Sequence, residues 1–257
     1  TPQDIRSEED LSRSLPVLTK EGLRTAGGKL LAEHPRRYHP RLFRTSGSTG
    51  EPVSFYLDKA ANVLEFVYYW RHWSWAGYRL GDRFAELGSH FFLRRPQLRD
   101  RVSWWQPHLR RLMLNSSTIT MDSAPLAAEA FRKHRPAYLK GMASTLYFLA
   151  LTLREAGIDD LALRGVFATG EVTTPLYRAV IEKVFHCRLL DSYGHMERTV
   201  GISQCLDGGY HAVTDYGLME VVDRRPGSEP ACSIGRVIGT GLYNLARPLI
   251  RYDVGDT

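Results

Sequence analysis

Cysteine is scarce: the 257 residues hold three, at 187, 205 and 232, an odd number spaced too widely for a disulfide framework. Isolated thiols suit a reducing compartment, so the cytoplasm is the expected location. Apolar runs of membrane-spanning length are also missing, since the most apolar stretch, Met142 to Leu153, is about 12 residues where ~18 are needed. The chain opens at Thr1 and meets Asp4, Arg6, Glu8, Glu9 and Asp10 at once, so no charged and then apolar leader is visible. No Gly-Lys-Ser/Thr ending follows a glycine loop, which sets aside P-loop kinases and motor ATPases. No Gly-x-Ser-x-Gly elbow is present either, which sets aside a serine hydrolase of that type.

What is present is a globular composition, 43% apolar and 24% charged, long enough to bury one large core or two joined ones. The net charge of +6 is arginine-heavy. Its densest part runs through Arg94, Arg95, Arg99, Arg101, Arg110 and Arg111, with Trp104 and Trp105 between. Basic residues interleaved with aromatics can hold nucleic acid or an anionic polymer or surface. The plainer alternative is a solvated helix face with its tryptophans turned inward, and no nucleic-acid motif accompanies the stretch.

The first forty residues are polar and broken by Pro16, Pro35 and Pro40. From Asp58, an N-cap, Leu64, Val67, Tyr68, Arg71 and Trp75 recur at helical spacing up to Gly77. Phe84 to Leu87 reads as a buried strand, Thr145 to Ala156 as a helix, and Val166 to Ala168 as another strand. Thr174 and Pro175 open a helix whose stripe is Leu176, Ala179, Val180 and Val184, and Arg188 to Leu190 is the strand after it. This alternation predicts an α/β fold: mostly parallel sheet flanked by helices, with chemistry in the loops after the strands. Beyond Gly208 the helix signal stops, and Tyr210 to Val222, Cys232 to Ile238 and Leu249 to Tyr252 read as strands. The expected division is an α/β core over 1–204 and a β-rich subdomain over 205–257.

Three loops carry chemistry. In Thr45-Ser46-Gly47-Ser48-Thr49-Gly50, hydroxyls and glycines let backbone N–H groups approach an anion closely, as phosphate binding requires. Asp191-Ser192-Tyr193-Gly194-His195-Met196-Glu197 follows a strand and offers a ring for stacking on a base and a carboxylate for a hard cation such as Mg²⁺. Arg251-Tyr252-Asp253-Val254-Gly255-Asp256 ends in an acid suited to accepting from two ribose hydroxyls.

In this order and at these distances, the three loops resemble the signature segments of the adenylate-forming superfamily, the acyl-CoA synthetases and their relatives. Asp4 to Leu11, Pro16 to Lys20, Trp75 to Asp82 and Ala168 to Glu171 extend the likeness to the phenylacetate-CoA ligase family, in its CapK-like branch. The resemblance implies attack of a carboxylate, with an aromatic acid a candidate, on the α-phosphate of Mg-ATP. Pyrophosphate leaves, and a thiol, normally that of coenzyme A or of a carrier protein, then displaces AMP.

Carried over by position, Thr45, Ser46, Gly47, Ser48, Thr49 and Gly50 match the loop on the β- and γ-phosphates, and Glu197 the Mg²⁺-binding acid. Thr49 and Glu197 are thereby the expected catalytic residues. Tyr193 and Gly194 match the segment against adenine, Gly170 and Glu171 the adenine-pocket loop, and Asp256 the ribose acid. The acid substrate is expected among His90, Phe91, Gly141, Ala143 and His195. His195 faces either the substrate carboxylate or solvent, and the Phe91-Phe92 pair forms either a pocket wall or plain core.

The resemblance also implies a mobile domain with a catalytic Lys beyond Asp256, and helices before Asp4, so the chain is expected to be an incomplete core. Cys205 and His211, across a Gly-Gly turn, match part of a Zn²⁺ site that Cys232 alone does not complete. A homodimer is a further expectation. The alternatives in other classes are an inactive binding protein of this fold and an anionic-polymer or surface binder.

Overall fold

The computed structural model describes residues 5–45, 52–226 and 233–257. Its helices are α1 (Glu8–Ser14), α2 (Lys20–Ala26), α3 (Lys59–Ser74), α4 (His90–Leu93), α5 (Ala124–His134), α6 (Ala143–Glu155) and α7 (Pro175–Phe185). Its first strands are β1 (Arg41–Arg44), β2 (Ser54–Leu57), β3 (Phe84–Leu87), β4 (Ser103–Gln106), β5 (Arg111–Leu114), β6 (Tyr138–Met142) and β7 (Gly165–Thr169). Then come β8 (Leu189–Gly194), β9 (Gly201–Gln204), β10 (Tyr210–Ala212), β11 (Gly217–Pro226), β12 (Ser233–Gly241) and β13 (Tyr252–Asp253). Among the described residues no helix is long and apolar enough to cross a membrane.

The eight-stranded sheet has the order β10-β9-β8-β7-β6-β3-β5-β4. Strands β8, β7, β6, β3 and β5 are mutually parallel, and β4 runs antiparallel at the edge. Parallel neighbours need crossovers, and α6 and α7 supply them between β6, β7 and β8. Thr174 caps α7 by accepting from the Tyr177 N–H at 3.2 Å, and Pro175 fills the first turn where its missing N–H costs nothing. The buried stripe of α7 is Val180, Ile181, Val184 and Phe185, whereas Leu176, expected in it, is 60% exposed because it sits in the uncovered first turn.

One sheet face packs against α5, α6 and α7 through Leu112, Leu114, Leu139, Leu146, Leu149 and Val166. The other carries an aromatic layer of Trp73, Phe84, Tyr138 and Phe167, with Trp73 and Phe84 ring centres 4.7 Å apart. Each ring removed from water in this way contributes about 2 kcal/mol.

The chain forms two compact units, which do not follow the linear division at 204/205. One comprises the chain through Tyr68 with Gly194–Gly201 and Ala212–Thr257, and the other Tyr69–Tyr193 with Ile202–His211. The reason lies in the core of the first unit. Leu23, Val53, Phe55 and Leu57 from the N-terminal part bury themselves against Leu249, Tyr252 and Val254. Arg247, 3% exposed, adds hydrogen bonds to the carbonyls of Leu23 and Gly27. Strands β11, β12 and β13 form an antiparallel sheet here, as the absence of helix signal predicts.

Candidate functional site

In the second unit the strand order reverses at β3, which lies between β5 and β6 although β6 follows β5 in the chain. Crevices outside the carboxyl ends of strands at such a switch point are the usual ligand sites of open α/β sheets. Several of the residues expected to bind ligand lie at or just past these ends: His90 and Phe91 after β3, Gly141 at the end of β6 with Ala143 opening α6, Gly170 and Glu171 after β7, and Tyr193 at the end of β8.

Their side chains differ in access. His90 is exposed, and Phe91 is half-buried beneath the Arg95 guanidinium, 4.0 Å from its ring centre. Phe92 is fully buried with Leu98 and Met113, so this half of the pair is core. Gly141 and Ala143 are buried as well. A Cβ on Gly141 would press within 3.1–3.3 Å of Leu146 and Leu87, so the glycine lets α6 start close against β6.

Glu171 reaches across from the β7 exit loop and accepts from the Ser144 N–H at 2.8 Å, placing an acid on the first turn of α6. At β8, Asp191 is buried, accepting from the Tyr210 hydroxyl at 3.0 Å and from the Ser192 N–H at 2.8 Å. The Ser192 hydroxyl donates to the Ala168 carbonyl at 3.0 Å. These bonds fix the strand end that presents Tyr193. The sequence signal for Asp191 was one acid directly after two leucines in a buried strand.

In the first unit, Glu197 is 5% exposed and both its oxygens are engaged. Tyr252 donates to Oε1 at 2.9 Å, and His195 Nδ1 lies 3.0 Å from Oε2. A carboxylate only accepts, so Nδ1 carries a proton and donates it to Glu197, while Nε2 lies 3.0 Å from the Thr199 hydroxyl. Burial opposes the charge on Glu197, but the bonds from His195 and Tyr252 outweigh it and hold the carboxyl below its ordinary range. Burial, and then the Glu197 charge, push the Tyr252 phenol strongly upward, so it stays a donor. His195 therefore turns inward onto Glu197, with its side chain 11% exposed.

The segment after Glu197 is locked. Arg198 has φ +59° and binds Glu65 at 2.7 Å and Asn62 at 2.6 Å. Thr199 is 1% exposed, and Cβ atoms on Gly217 or Gly239 would overlap its atoms outright. Arg251, with φ +50°, holds Glu220 through two bonds of 3.0 Å and donates to the Ser12 carbonyl at 2.9 Å. It thereby sets the strand that carries Tyr252. Asp256 is exposed, and its backbone carbonyl accepts from the Val237 N–H at 3.0 Å.

Thr45 and Val53 close the base of the expected phosphate loop, with Thr45 N–H donating to the Val53 carbonyl at 3.0 Å and Val53 N–H to the Thr45 hydroxyl at 2.9 Å. Ser46, Gly47, Ser48, Thr49 and Gly50 lie outside the described residues.

Among the described residues no group of three or more His, Cys, Asp or Glu side chains converges as a metal site. A single ionised, oxygen-only donor such as Glu197 fits Mg²⁺, which is held by one or two carboxylates together with phosphates. Cys205 and His211 do approach each other: a Cβ on Gly209 would lie 3.6 Å from the thiol sulfur and 3.5 Å from Nε2. They are two donors where structural zinc takes four, and Cys232 lies outside the described residues.

No family model matches the chain. Over 99% of its length it superposes on 61% of a solved 2-hydroxyisobutyryl-CoA ligase, in an open conformation with 2-HIB-AMP and CoA, at a TM-score of 0.67 and 21% identity. The chain has the fold of adenylate-forming CoA ligases. The anthranilate CoA ligase AuaEII, solved with anthranoyl-AMP, matches 83% of the chain and 40% of its own at a TM-score of 0.53 and 16% identity. Protein CapK of Staphylococcus aureus is 23% identical over 245 residues, 95% of the chain. The chain spans about half the length of that relative, 53%.

Proposed function

We propose that this chain is the nucleotide- and acid-binding core of an AMP-forming acid–thiol ligase of the phenylacetate-CoA ligase type, in the CapK-like branch. The observation that carries the reading is the shared fold over 99% of the chain with a ligase solved around an acyl-adenylate and CoA. The 23% identity to Protein CapK supports the branch.

In this reading Glu197 is kept ionised by Tyr252 and His195 and holds Mg²⁺, which would neutralise charge gathering on the phosphates. Each carboxylate oxygen keeps a second lone pair, so Glu197 can meet a cation while its bonds to Tyr252 and His195 stay in place. Thr49 and its neighbours would donate to the β- and γ-phosphates. Donors fixed in advance stabilise a transition state without reorganising. Tyr193 and Gly194 would pack on adenine beside Gly170 and Glu171, and Asp256 would accept from the ribose. His90 and Phe91 would border the acid, with half-buried Phe91 suited to an apolar or aromatic one. The second step, transfer to the thiol of coenzyme A or of a carrier protein, would draw on the remainder of a full-length ligase.

Calorimetric titration of Mg-ATP and of a non-hydrolysable acyl-adenylate analogue tests the reading. Saturable binding is expected, lost in a Glu197→Ala, Asp256→Ala double variant. A folded chain that binds neither ligand would favour the second reading, a binding protein that keeps the fold without the activity.

A further inference from the structure

We propose that strand β4, at the edge of the large sheet, is a docking site for an extended acidic segment of a partner polypeptide, which adds to the sheet as a further strand. The proposal goes beyond the ligase reading and does not depend on it. Residues 94–111 hold six arginines against one acid, Asp100. They do not form the helix face that the composition allowed. They build the β4–β5 hairpin and its approach, and β4 ends the strand order with β5 as its neighbour.

The two tryptophans of β4 point opposite ways, as successive strand residues must. Trp105 packs on the core and stacks on His134 at 4.5 Å. Trp104 is 38% exposed, with the Arg101 guanidinium 5.5 Å from its ring centre.

The phase of the ladder decides which main-chain groups are available. Asn115 N–H donates to the Val102 carbonyl at 2.9 Å, and the register pairs Ser103 with Leu114 and Gln106 with Arg111. In an antiparallel pair the bonding residues alternate, so Val102, Trp104 and Gln106 turn their N–H and C=O groups toward β5. Ser103 and Trp105 turn theirs away from the sheet, at the spacing an incoming strand needs.

A cleft of about 390 Å³ runs beside this edge, lined by Arg101, Ser103, Leu126, Glu129, Lys133 and His134 among others. Leu126, 55% exposed, gives it an apolar patch. A strand paired at Ser103 and Trp105 would send alternate side chains over the cleft and over Trp104. Exposed Arg99, Arg101 and Arg110 flank the strand in the chain, and with Lys133 in the cleft they outnumber Asp100 and Glu129. Acidic side chains complement that field, whereas a second copy would bring arginine against arginine. Strand addition to a free edge takes its affinity from main-chain bonds and its selectivity from alternate side chains.

The test uses a fluorescent peptide of about ten alternating Glu and Val residues, a common strand length, titrated into the chain by anisotropy. Ser103→Pro removes an outward N–H that the β4–β5 ladder does not use, so it should weaken binding roughly fivefold or more with the unfolding midpoint unchanged. Arg99→Gln with Arg101→Gln should also weaken it. In the unmodified chain, amide exchange at Ser103 and Trp105 should slow when peptide is added, a readout that stands even if the proline variant is unstable. Absence of saturable binding would overturn the proposal. So would binding that needs the arginines but ignores Ser103→Pro and leaves exchange at both amides unchanged, the signature of plain polyanion attraction.

Discussion

The Tyr252 hydroxyl donates a 2.9 Å hydrogen bond to Glu197, 55 residues earlier in the chain, and both side chains are buried. Removing a partner from a buried carboxylate leaves its desolvation uncompensated. Tyr252→Phe should therefore destabilise the chain by about 1–3 kcal/mol in urea unfolding. An unchanged midpoint would mean that water replaces the phenol without loss. Tyr252→Phe should also weaken Mg-ATP binding, since the carboxylate loses a positioning bond.

The same pair sets a pH dependence. The Glu197 carboxyl is held below its ordinary range, so its stabilising contribution is present above the unfolded pKa of about 4.3 and is lost as pH falls through the lower folded value. The stability gap between the native chain and Glu197→Gln should be largest near neutrality and shrink on acidification below that range. Paired urea titrations at neutral and acid pH check this, and a gap that widens in acid would reverse the sign.

Gly239 faces Thr199 and Val200 so closely that a Cβ there would overlap both side chains. Gly239→Ala should cost on the order of 2 kcal/mol or more and perturb the segment that follows Glu197. Gly28→Ala, where a Cβ would meet nothing within 4 Å, is the matched control and should leave the thermal midpoint nearly unchanged.

Burial, aided by the Glu182 charge, pushes the Cys187 thiol up to about 12. The thiolate is the reacting form, so Cys187 should alkylate with iodoacetamide at mildly alkaline pH far more slowly than a free thiol of about 8.5. Peptide mapping of partly alkylated protein measures the rate at each cysteine. A fast Cys187 would show that its surroundings open readily.

Local rules made much of the second unit legible. Phe84–Leu87 was a strand by its apolar run, and α7 began at Thr174 and Pro175 as cap chemistry requires. Asp58 was read as a helix cap and does accept from the Ala61 N–H at 2.7 Å. The sequence did not disclose that the other oxygen of Asp58 accepts from the Leu245 N–H at 2.7 Å, because no periodicity encodes a partner so far along the chain. The inward turn of His195 was hidden for the same reason. One loop supplies the imidazole and the acid, but the closed geometry depends on Tyr252 and on glycines at 217 and 239. The arginine stretch misled because composition fixes charge and not direction, and only the ladder shows Trp104 and Trp105 on opposite faces.

The interleaving of the two units bears on how the chain comes off the ribosome. All segments of the second unit have been translated once His211 is made, so that core can close during synthesis. The first unit needs Leu249, Tyr252 and Val254 to cover Leu23, Phe55 and Leu57, and Arg251 to reach the Ser12 carbonyl. At about 5–20 residues per second, its early apolar segments wait on the order of ten seconds or more for those partners. During that interval Leu23, and then Phe55 and Leu57, are the apolar surfaces a nascent-chain chaperone would meet.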